Sequence, residues 1–596
     1  MDIPGKMAAK TTGETSFSNK MLFWASFFTL IAAGIGFSMR NAIVKDWGGQ
    51  FGFTQSELGS INGGGLFGFG MTIIVLSFVA DWIGYGRLML LAFVLYIASA
   101  VVTFAAGFAF TKYGKDGAYY CLFIGAWLFS LANGTCETVI NPLTATLFPK
   151  NKTHWLNILH AGWPGGLILG AVLRLVLNKV PGLHWEYKLA TYLAPVLLFG
   201  VMMLGRTFPK SEAKVQGVSI RSMMGEVGFF GMAVVVFFLG LLLSSVILPL
   251  IPKSWVEISQ STNWAISWGI AIAVWLVYAV ISGFKLGHLV LTCLYLLHAL
   301  VGYVELGTDS WIINIGDTVL KNEDYALYAF IWTNLLMFGL RFFAGPIVHK
   351  ISPLGLLFFS AVLGTTGLLL FSQSFVDKFW IWMMVSTIFA MGKTFYWPTV
   401  LGVISERFPK GGALALGFSG GIGMLSAGLL GSPGIGYKQD YFSVQRVEKE
   451  SASTYIRYEA RNDQGQPDVK GFPLVSDLVP ERVPKVAGLD NAKMKIVDDY
   501  AAARAAGKEG AADSVTADLD PKMRKWWDEQ GRPNYQLDKP LLDDARLYGK
   551  RTALLYTAAV PATMAVGFLL LWLYFIFTGG YKQVHLDEEP AAPAEY

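Results

Sequence analysis

The feature that most constrains this chain is the recurrence of apolar runs long enough to cross a lipid bilayer. A bilayer core about 30 Å thick needs about 20 apolar residues in a helix, and a helix satisfies its own backbone hydrogen bonds in lipid. Hydrophobic residues make up 54% of the 596 residues and charged residues only 15%. Fourteen such runs occur, at about 21–39, 59–80, 88–110, 118–147, 154–177, 188–205, 229–250, 263–282, 287–306, 323–347, 353–372, 379–404, 412–434 and 552–578. The sequence therefore predicts an all-α multispanning protein embedded in the lipid bilayer.

The basic residues around these runs indicate which way the chain faces. With both termini in the cytosol, the inner loops hold eleven Lys or Arg residues and the short outer loops hold eight. Basic residues favour the cytosolic side, so we predict a multi-pass protein of the cell (inner) membrane with cytosolic termini. A polar start leads directly into the first run, so no cleavable signal peptide is predicted. The net charge of +5 gives no support for a nucleic-acid partner.

Two segments resemble each other and indicate an internal repeat. CETVINPLTATLFPK (136–150) and GKTFYWPTVLGVISERFPK (392–410) both run from a charged residue through Thr and Pro to Phe-Pro-Lys. A glycine-rich apolar run follows each segment, at 160–170 and at 417–428. Two related halves with the solute held near the membrane midplane are the plan of one class of secondary transporters. The repeat therefore predicts two six-helix bundles around a central site.

Glu137 is the only acidic or basic residue in the apolar run 119–148. A charge at that depth costs at least about 3 kcal/mol, so it usually faces a protein interior or a water-filled path. Asn133, Glu137 and Asn141 are spaced to share one helix face. Amides donate and accept hydrogen bonds, and a carboxylate accepts hydroxyls or carries a proton. The stripe predicts contacts with a hydroxyl-rich solute or, alternatively, bonds that hold neighbouring helices together.

Lys393 occupies the place of Glu137 in the second repeat. Each charge lies five residues before a proline, Pro142 or Pro398. If an axis along the membrane normal relates the halves, both charges project towards the same central region. We expect the two to pair when no solute is bound, which lowers the cost of burying each. The alternatives are that Lys393 faces another carboxylate or extends to the membrane surface.

Five further side chains are candidates for the site. Tyr396 and Trp397 follow the repeat lysine by three and four residues, which suggests an aromatic platform for the apolar face of a sugar ring. His160 suits proton relay or is a hydrogen-bonded core histidine. Glu305 and Asp309 share a helix face, and counting from residue 287 puts them in the outer half of the membrane. Either one is an alternative site for a coupling proton.

A loop between the second and third spans resembles a signature of the major facilitator superfamily. DWIGYGR places Asp81, Gly84 and Arg87 where that superfamily carries Asp, Gly and Arg. GLRFFAGPIVHKISPLG (339–355), with Arg341, holds the matching place in the second half. The usual Arg after the Asp is Trp here, and one residue is inserted before Arg87. The resemblance implies that these four residues belong to a gating loop.

Within that superfamily, two motifs resemble the branch of the fucose:proton symporter and related glucose transporters. They are E-T-x-x-N-P, with Glu137 and Asn141, and Y-V-E-L-G-T-D-S-W, with Glu305. The chain departs from the branch at Asn41, where those symporters place an acid, and at Trp163, where they place an Asn. The resemblance implies that these five positions contribute to solute or proton binding.

The predicted architecture is a major facilitator fold of two six-helix bundles with two extra central helices and a hydrophilic insert before the last helix. Its parts are a cytosolic tail (1–20), the first bundle (21–205), a cytosolic linker (206–228), the extra pair (229–284), five helices of the second bundle (285–434), an insert outside the cytosol (435–551), the last helix (552–578) and a second tail (579–596). Within the insert, residues 490–507 suggest a short helix, and Trp526, Trp527 and Tyr535 suggest a small core.

These features predict a secondary active transporter that moves a small polar solute, a sugar, by proton-coupled alternating access. Sodium is the alternative coupling ion. Alternative functions are transport of an anionic solute such as a sugar acid, and a transporter-like membrane sensor whose insert engages a partner. An enzyme is not predicted, because the chain shows no metal cluster, nucleophile elbow or phosphate-cradling loop. No cofactor and no ATP-binding motif are expected.

Overall fold

The chain is almost entirely helical in the computed structural model, which describes residues 5–53, 55–250, 259–462, 465–505, 519 and 521–586. Parts of both predicted tails, 1–4 and 587–596, lie outside the described residues. The first half contains α1 (Gly5–Phe51), α2 (Gln55–Ser77), α3 (Ala80–Ile83), α4 (Tyr85–Phe104), α5 (Ala106–Leu147), α6 (Lys152–Leu177), α7 (Trp185–Ala190) and α8 (Leu193–Met203). The central segment contains α9 (Glu212–Val215), α10 (Ile220–Leu242) and α11 (Gln260–Ile281).

The second half begins with α12 (Leu289–Asp309), α13 (Ile312–Leu320), α14 (Glu323–Arg341), α15 (Ala344–Phe371), α16 (Phe379–Lys393), α17 (Tyr396–Arg407), α18 (Gly412–Ser426) and α19 (Ser432–Glu450). The insert adds α20 (Ala452–Tyr458), β1 (Val469–Lys470), α21 (Val475–Leu478), β2 (Val486–Ala487), α22 (Asn491–Ala505) and α23 (Pro521–Trp526). The chain then returns through α24 (Arg532–Thr557) into α25 (Ala559–Phe577).

All fourteen predicted spans coincide with helices. Ten of the described helical stretches are long and apolar enough to cross a membrane. The other four predicted spans fall on α2, α7 with α8, α14, and α16 with α17. Two of these spans are each broken into two shorter helices, α7 with α8 and α16 with α17. The predicted fold class is confirmed.

The two halves pack by the same helix pairs. α1 contacts α6 in the first half and α12 contacts α18 in the second. Both contacts are close because glycines face each other: Gly34 lies against Gly166, and a Cβ added at Gly302 would overlap the carbonyl oxygen of Gly423. Small residues at helix interfaces let backbones approach in membranes. The glycine-rich stretch at 163–166 therefore serves helix packing.

The predicted internal repeat is visible in the backbone. The first repeat segment ends α5 at Phe148, with φ −129° and ψ 63°. The second ends α17 at Phe408, with φ −128° and ψ 55°. Each of these helices also contains the repeat proline, Pro142 or Pro398. Equal Phe-Pro exits at equivalent helices confirm that the two segments are structural counterparts.

The first helix of the second half is longer than the predicted span 287–306. After α12 ends at Asp309, a short turn leads into α13, which continues to Leu320. Glu305 and Asp309 therefore lie near the middle of a long broken helix, and their place in the outer half of the membrane stays a prediction.

The extra helix pair packs against the second half through one of its helices. α10 contacts α12, α18 and α11, whereas most of the α11 surface is exposed to the surroundings of the protein. Gly228, with φ 64°, breaks α10 near its start. Phe229 N donates to Lys285 O (2.8 Å), and this bond joins α10 to the segment that follows α11.

The insert is an antiparallel helical stalk that carries a small folded region. α19 follows α18 without a loop, through the π-helical turn Ala427–Gly431, and packs along α24. A small core at its tip contains Tyr458, Val497 and Trp527. Arg457 holds the buried Asp538 with two bonds, of 2.9 and 2.5 Å. The predicted helix at 490–507 is confirmed as α22, and the predicted aromatic core is confirmed as well.

The stalk is attached to the second half. Lys438 of α19 donates to the Tyr303 hydroxyl (3.1 Å), and Lys550 of α24 donates to Asn314 O (3.0 Å). We call the side of the bundle that carries the stalk the insert face, and the opposite side, where α25 ends, the tail face. These contacts tie the insert to α12 and α13, so a motion of the second half carries the insert with it.

Candidate functional site

Glu137 begins a buried hydrogen-bonded chain in the first half. Asn141 Nδ2 donates to Glu137 Oε2 (2.6 Å), and His160 Nε2 lies 2.8 Å from Asn141 Oδ1. An ionised carboxylate only accepts, so it takes the amide NH₂ group and leaves the amide oxygen for the imidazole, which then donates through Nε2. All three side chains are buried. The chain therefore links α5 to α6.

Asn133, the third member of the predicted stripe, has a different set of partners. The Tyr96 hydroxyl donates to Asn133 Oδ1 (2.8 Å), and Asn133 Nδ2 donates to Phe129 O (2.7 Å). The amide thus joins α4 to α5. These bonds favour the interhelical alternative for Asn133 over a direct contact with solute.

Arg341 continues the network into the second half. Its Nη2 donates to Glu305 Oε1 (3.2 Å), its Nε to Thr394 O (2.8 Å) and its Nη1 to His160 O (2.5 Å). The last bond crosses from one half to the other. Arg341, predicted to belong to a gating loop, is the last residue of α14 and is buried at the interface between the halves, and its gating role stays a prediction.

Lys393 forms an ion pair with Asp309. The lysine is fully buried, and Asp309 lies one helical turn beyond Glu305 on α12. The predicted pair between Lys393 and Glu137 is wrong in this structure: the end of α16 faces α12, and Glu137 bonds to Asn141 instead. The alternative that the sequence left open, a different carboxylate partner, describes Lys393 correctly.

The predicted aromatic platform is not formed. Tyr396 OH donates to Ser360 O (3.0 Å), and the Trp397 ring packs edge-on against His298 with centroids 4.5 Å apart. Both rings are buried. The prediction assumed one continuous helix after Lys393, but the helix breaks between α16 and α17, and the residues that follow turn towards other neighbours.

A cavity of about 610 Å³ lies between the two halves; Asp309, the partner of Lys393, lines it, whereas Glu137, Asn141, His160, Glu305 and Arg341 are not among its lining residues. Asn41 and Trp163 line it from the first half, and Asp309 lines it from the second. It extends to Asp317 and Glu323 at the insert face. Its other polar lining residues are Arg40, Ser130, Ser310, Asn314 and Ser432.

Arg40 is a residue of the cavity that sequence reasoning noticed only as the neighbour of Asn41. It falls just after the predicted span 21–39, where a basic residue reads as a membrane-surface anchor. Because α1 continues to Phe51, Arg40 lies well inside the helix and is 6% exposed. The sequence carried one signal of this burial: more than two turns of helix-compatible sequence follow the basic residue.

The halves meet at the tail face around Glu406. Its Oε1 accepts from the backbone N (3.0 Å) and the hydroxyl (2.6 Å) of Thr153. Lys152 Nζ donates to Ser405 O (3.2 Å), and Asn157 Nδ2 donates to the Thr399 hydroxyl (3.2 Å). These bonds join α6 to α17, so the structure is closed at the tail face.

The segment after α25 reinforces this closure. Tyr581 OH donates to Glu406 Oε2 (2.7 Å), and Val584 N donates to Glu406 O (2.8 Å). Gln583 Nε2 donates to Pro149 O in the first half (2.5 Å). The segment therefore contacts both halves at the tail face.

The DWIGYGR loop lies on the same face. Its Gly84 has φ 92°, a conformation that favours glycine. Lys214 donates to Asp81 O, and the Asp81 carboxylate lies beside Gly412, the first residue of α18. A carboxylate near a helix N-terminus is favourable. Arg87 is exposed. The loop thus contacts both the linker and the second half, and its gating role stays a prediction.

Removing the Glu406 carboxylate is expected to loosen the tail face. Glu406→Gln turns one acceptor oxygen into an NH₂ group and weakens charge-assisted bonds worth about 1.5–3 kcal/mol, which shifts an open–closed equilibrium by roughly tenfold or more. Spin labels at the exposed positions Lys150 and Lys350 should move apart in a cysteine-free background. Tyr581→Phe, which removes one bond, should have a smaller effect. An unchanged distance distribution in Glu406→Gln would contradict this role.

The family model described as Major Facilitator Superfamily matches residues 26–432. A variant of the E. coli fucose:proton symporter FucP is 14% identical, with 71% of this chain and 93% of that chain covered and a TM-score of 0.49. The E. coli xylose transporter XylE is 13% identical, with coverages of 69% and 89% and a TM-score of 0.47.

The human organic anion transporter MFSD10 is 14% identical, with 70% of this chain and 92% of that chain covered and a TM-score of 0.48. The sequence matches none of the curated proteins with which it was compared. The family match spans more than half of the chain, from the first span to the start of α19. The protein therefore belongs to the major facilitator superfamily.

Proposed function

We propose that this protein is a secondary active transporter that moves a small hydroxylated solute of the sugar class together with protons. Transport proceeds by alternating access: the two halves rock around the central cavity and expose it to each side of the membrane in turn. We further propose that the protein lies in the cell (inner) membrane, with its termini in the cytosol and the stalked insert outside.

The observation that carries the proposal is the polar network that crosses between the halves beside the cavity. Glu137, Asn141 and His160 belong to the first half, and Arg341 and Glu305 to the second. Buried acids in membrane helices mark proton and solute paths far more often than they serve packing. Two acids on opposite sides of one interface supply a proton site that responds to the motion of the halves.

The geometry suggests how protonation and conformation are coupled. Arg341 is shared between Glu305 in its own half and the His160 carbonyl in the other half. A proton on Glu305 removes the negative partner of Arg341 and so changes its hold on the first half. A proton on Glu137 turns one of its oxygens into a donor, which changes how the Asn141 amide is oriented and therefore which of its groups faces His160. Each event alters a contact across or beside the interface.

The proposal is tested by uptake into proteoliposomes. Radiolabelled sugars, sugar acids and nucleosides are offered with and without an imposed pH gradient. At least one solute should accumulate above its outside concentration only when the gradient is present, and dissipating the gradient should release it. If every member of the panel merely equilibrates, whether or not a gradient is imposed, proton-coupled transport of these solutes is refuted.

A further inference from the structure

We propose that the solute carries a negatively charged group and that Arg40 binds this group inside the central cavity. This inference rests on the proposed transport function and names its substrate class: a monosaccharide-sized organic anion, such as a sugar acid. It does not depend on which ion is coupled to transport.

Arg40 has donors that the protein leaves unused. Its Nη2 donates to Ser99 Oγ (3.0 Å), and its guanidinium lies over the Phe129 ring at 4.6 Å. Its Nε and Nη1 have no hydrogen-bond partner in the described part of the chain, and both atoms are buried, so a ligand in the cavity reaches them only when the side chain shifts towards it. The Tyr192 hydroxyl lies within reach of the guanidinium as a polar neighbour, but it donates to Tyr96 O, and a neutral phenol does not balance a charge. Buried guanidinium groups are costly unless they are paired, so the free donors indicate a missing anionic partner.

The other charges of the cavity are accounted for. Asp309 pairs with Lys393, and Glu323 pairs with Arg174 at 3.0 Å. Asp317 lies near the basic side chains of α24. Among the ion pairs formed by described residues, none includes Arg40. Its positive charge is therefore the one that a bound ligand would neutralise.

The cavity suits a small hydroxylated anion. Its volume of about 610 Å³ is within the usual range for small-molecule sites. The guanidinium fork binds carboxylate or phosphate through two parallel hydrogen bonds. Asn41 and Ser130 line the cavity with Arg40 and offer donors and acceptors for hydroxyls, and Trp163 offers an aromatic surface. A neutral sugar would leave Arg40 unpaired, whereas a sugar acid would satisfy it.

The test compares the thermal melting of purified wild-type protein and Arg40→Gln in detergent at constant ionic strength. D-glucuronate, D-gluconate, glucose 6-phosphate and D-glucose are added separately, so the carboxylate and phosphate arms identify the preferred group. At least one anion should raise the melting temperature of wild type by a few degrees, and D-glucose should not. In Arg40→Gln the apparent affinity for that anion should fall by at least about 30-fold. Arg40→Lys keeps the charge without the fork, and its apparent affinity for that anion should lie between those of wild type and Arg40→Gln.

The ligand-free proteins provide an independent readout. Because Arg40→Gln removes an unpaired buried charge, it should melt at the same temperature as wild type or higher. A purely structural role through Ser99 and Phe129 predicts a lower temperature. Arg446→Gln, which alters an arginine paired with Asp544 on the stalk, is the matched control and should respond to anions like wild type.

The inference is overturned if no anion shifts wild type, if D-glucose and D-glucuronate shift it equally, or if Arg40→Gln keeps the full anion response. Its failure is distinguishable from failure of the proposed function. Accumulation of a neutral sugar by wild type and Arg40→Gln alike would leave proton-driven transport standing and refute the role of Arg40. Anion binding that depends on Arg40, without accumulation in a pH gradient, would support the role of Arg40 and refute proton-driven transport.

Discussion

Glu137→Gln is expected to retain solute exchange and to lose accumulation driven by a pH gradient. The amide keeps the shape of the protonated acid and its ability to bond with Asn141, but it cannot release or take up a proton. One proton per solute across one pH unit supports at most about tenfold accumulation. In the variant, the ratio of the inside to the outside solute concentration should therefore approach about one. Exchange of labelled for unlabelled solute should continue at a rate near that of wild type.

The measurement is paired uptake and exchange in the same proteoliposomes, with the solute identified by the panel. Glu481→Gln, an exposed acid of the insert, is the control and should accumulate solute normally. If Glu137→Gln concentrates solute as well as wild type does, Glu137 is not the coupling site. Glu305, which faces Arg341 across the same network, would then be the acid to change next.

Lys393→Met is expected to be strongly destabilising because it leaves Asp309 without its cationic partner. Removing one member of a buried ion pair costs about 3–5 kcal/mol, and removing both costs much less. The double variant Lys393→Met with Asp309→Asn should therefore melt close to wild type. A second double variant, Lys393→Met with Glu137→Gln, should show additive losses, because those two side chains do not pair.

Each double variant and its two single variants form a double-mutant cycle, and both cycles are measured by thermal melting in detergent without solute. They separate the pairing seen in the structure from the pairing that the sequence predicts. Additive losses for Lys393 with Asp309, together with compensation for Lys393 with Glu137, would show that the structure assigns the wrong partner to the lysine.

Helix number and the first half of the site followed from patterns that act over a few turns. Apolar length sets the number of spans, and the four-residue spacing of Glu137 and Asn141 brings them to one helix face and into direct contact. The Phe-Pro exits at Phe148 and Phe408 identified the repeat. Such features depend on local sequence, so one chain without its structure was sufficient to find them.

The partners of the charged residues did not follow from sequence. The carboxylate that Lys393 meets depends on how α16 is rotated against α12, and a break after α16 changes the direction of the Tyr396 and Trp397 rings. The spacing of residues along one helix shows which side chains share a face, but not how that helix is rotated about its axis relative to a neighbouring helix. The burial of Arg40 did not follow from sequence for a related reason: it lies just after the predicted span 21–39, whereas α1 continues to Phe51.

The central claim, that solute and protons move together through the Glu137 network, is tested most directly by following proton flux. Solute is added outside lightly buffered proteoliposomes that carry no imposed gradient, and the external pH is recorded with a dye. The account predicts that the solute makes the external medium more alkaline in wild type, that an unrelated sugar does not, and that Glu137→Gln abolishes the change. Solute entry into wild-type vesicles with no change in external pH would contradict the account.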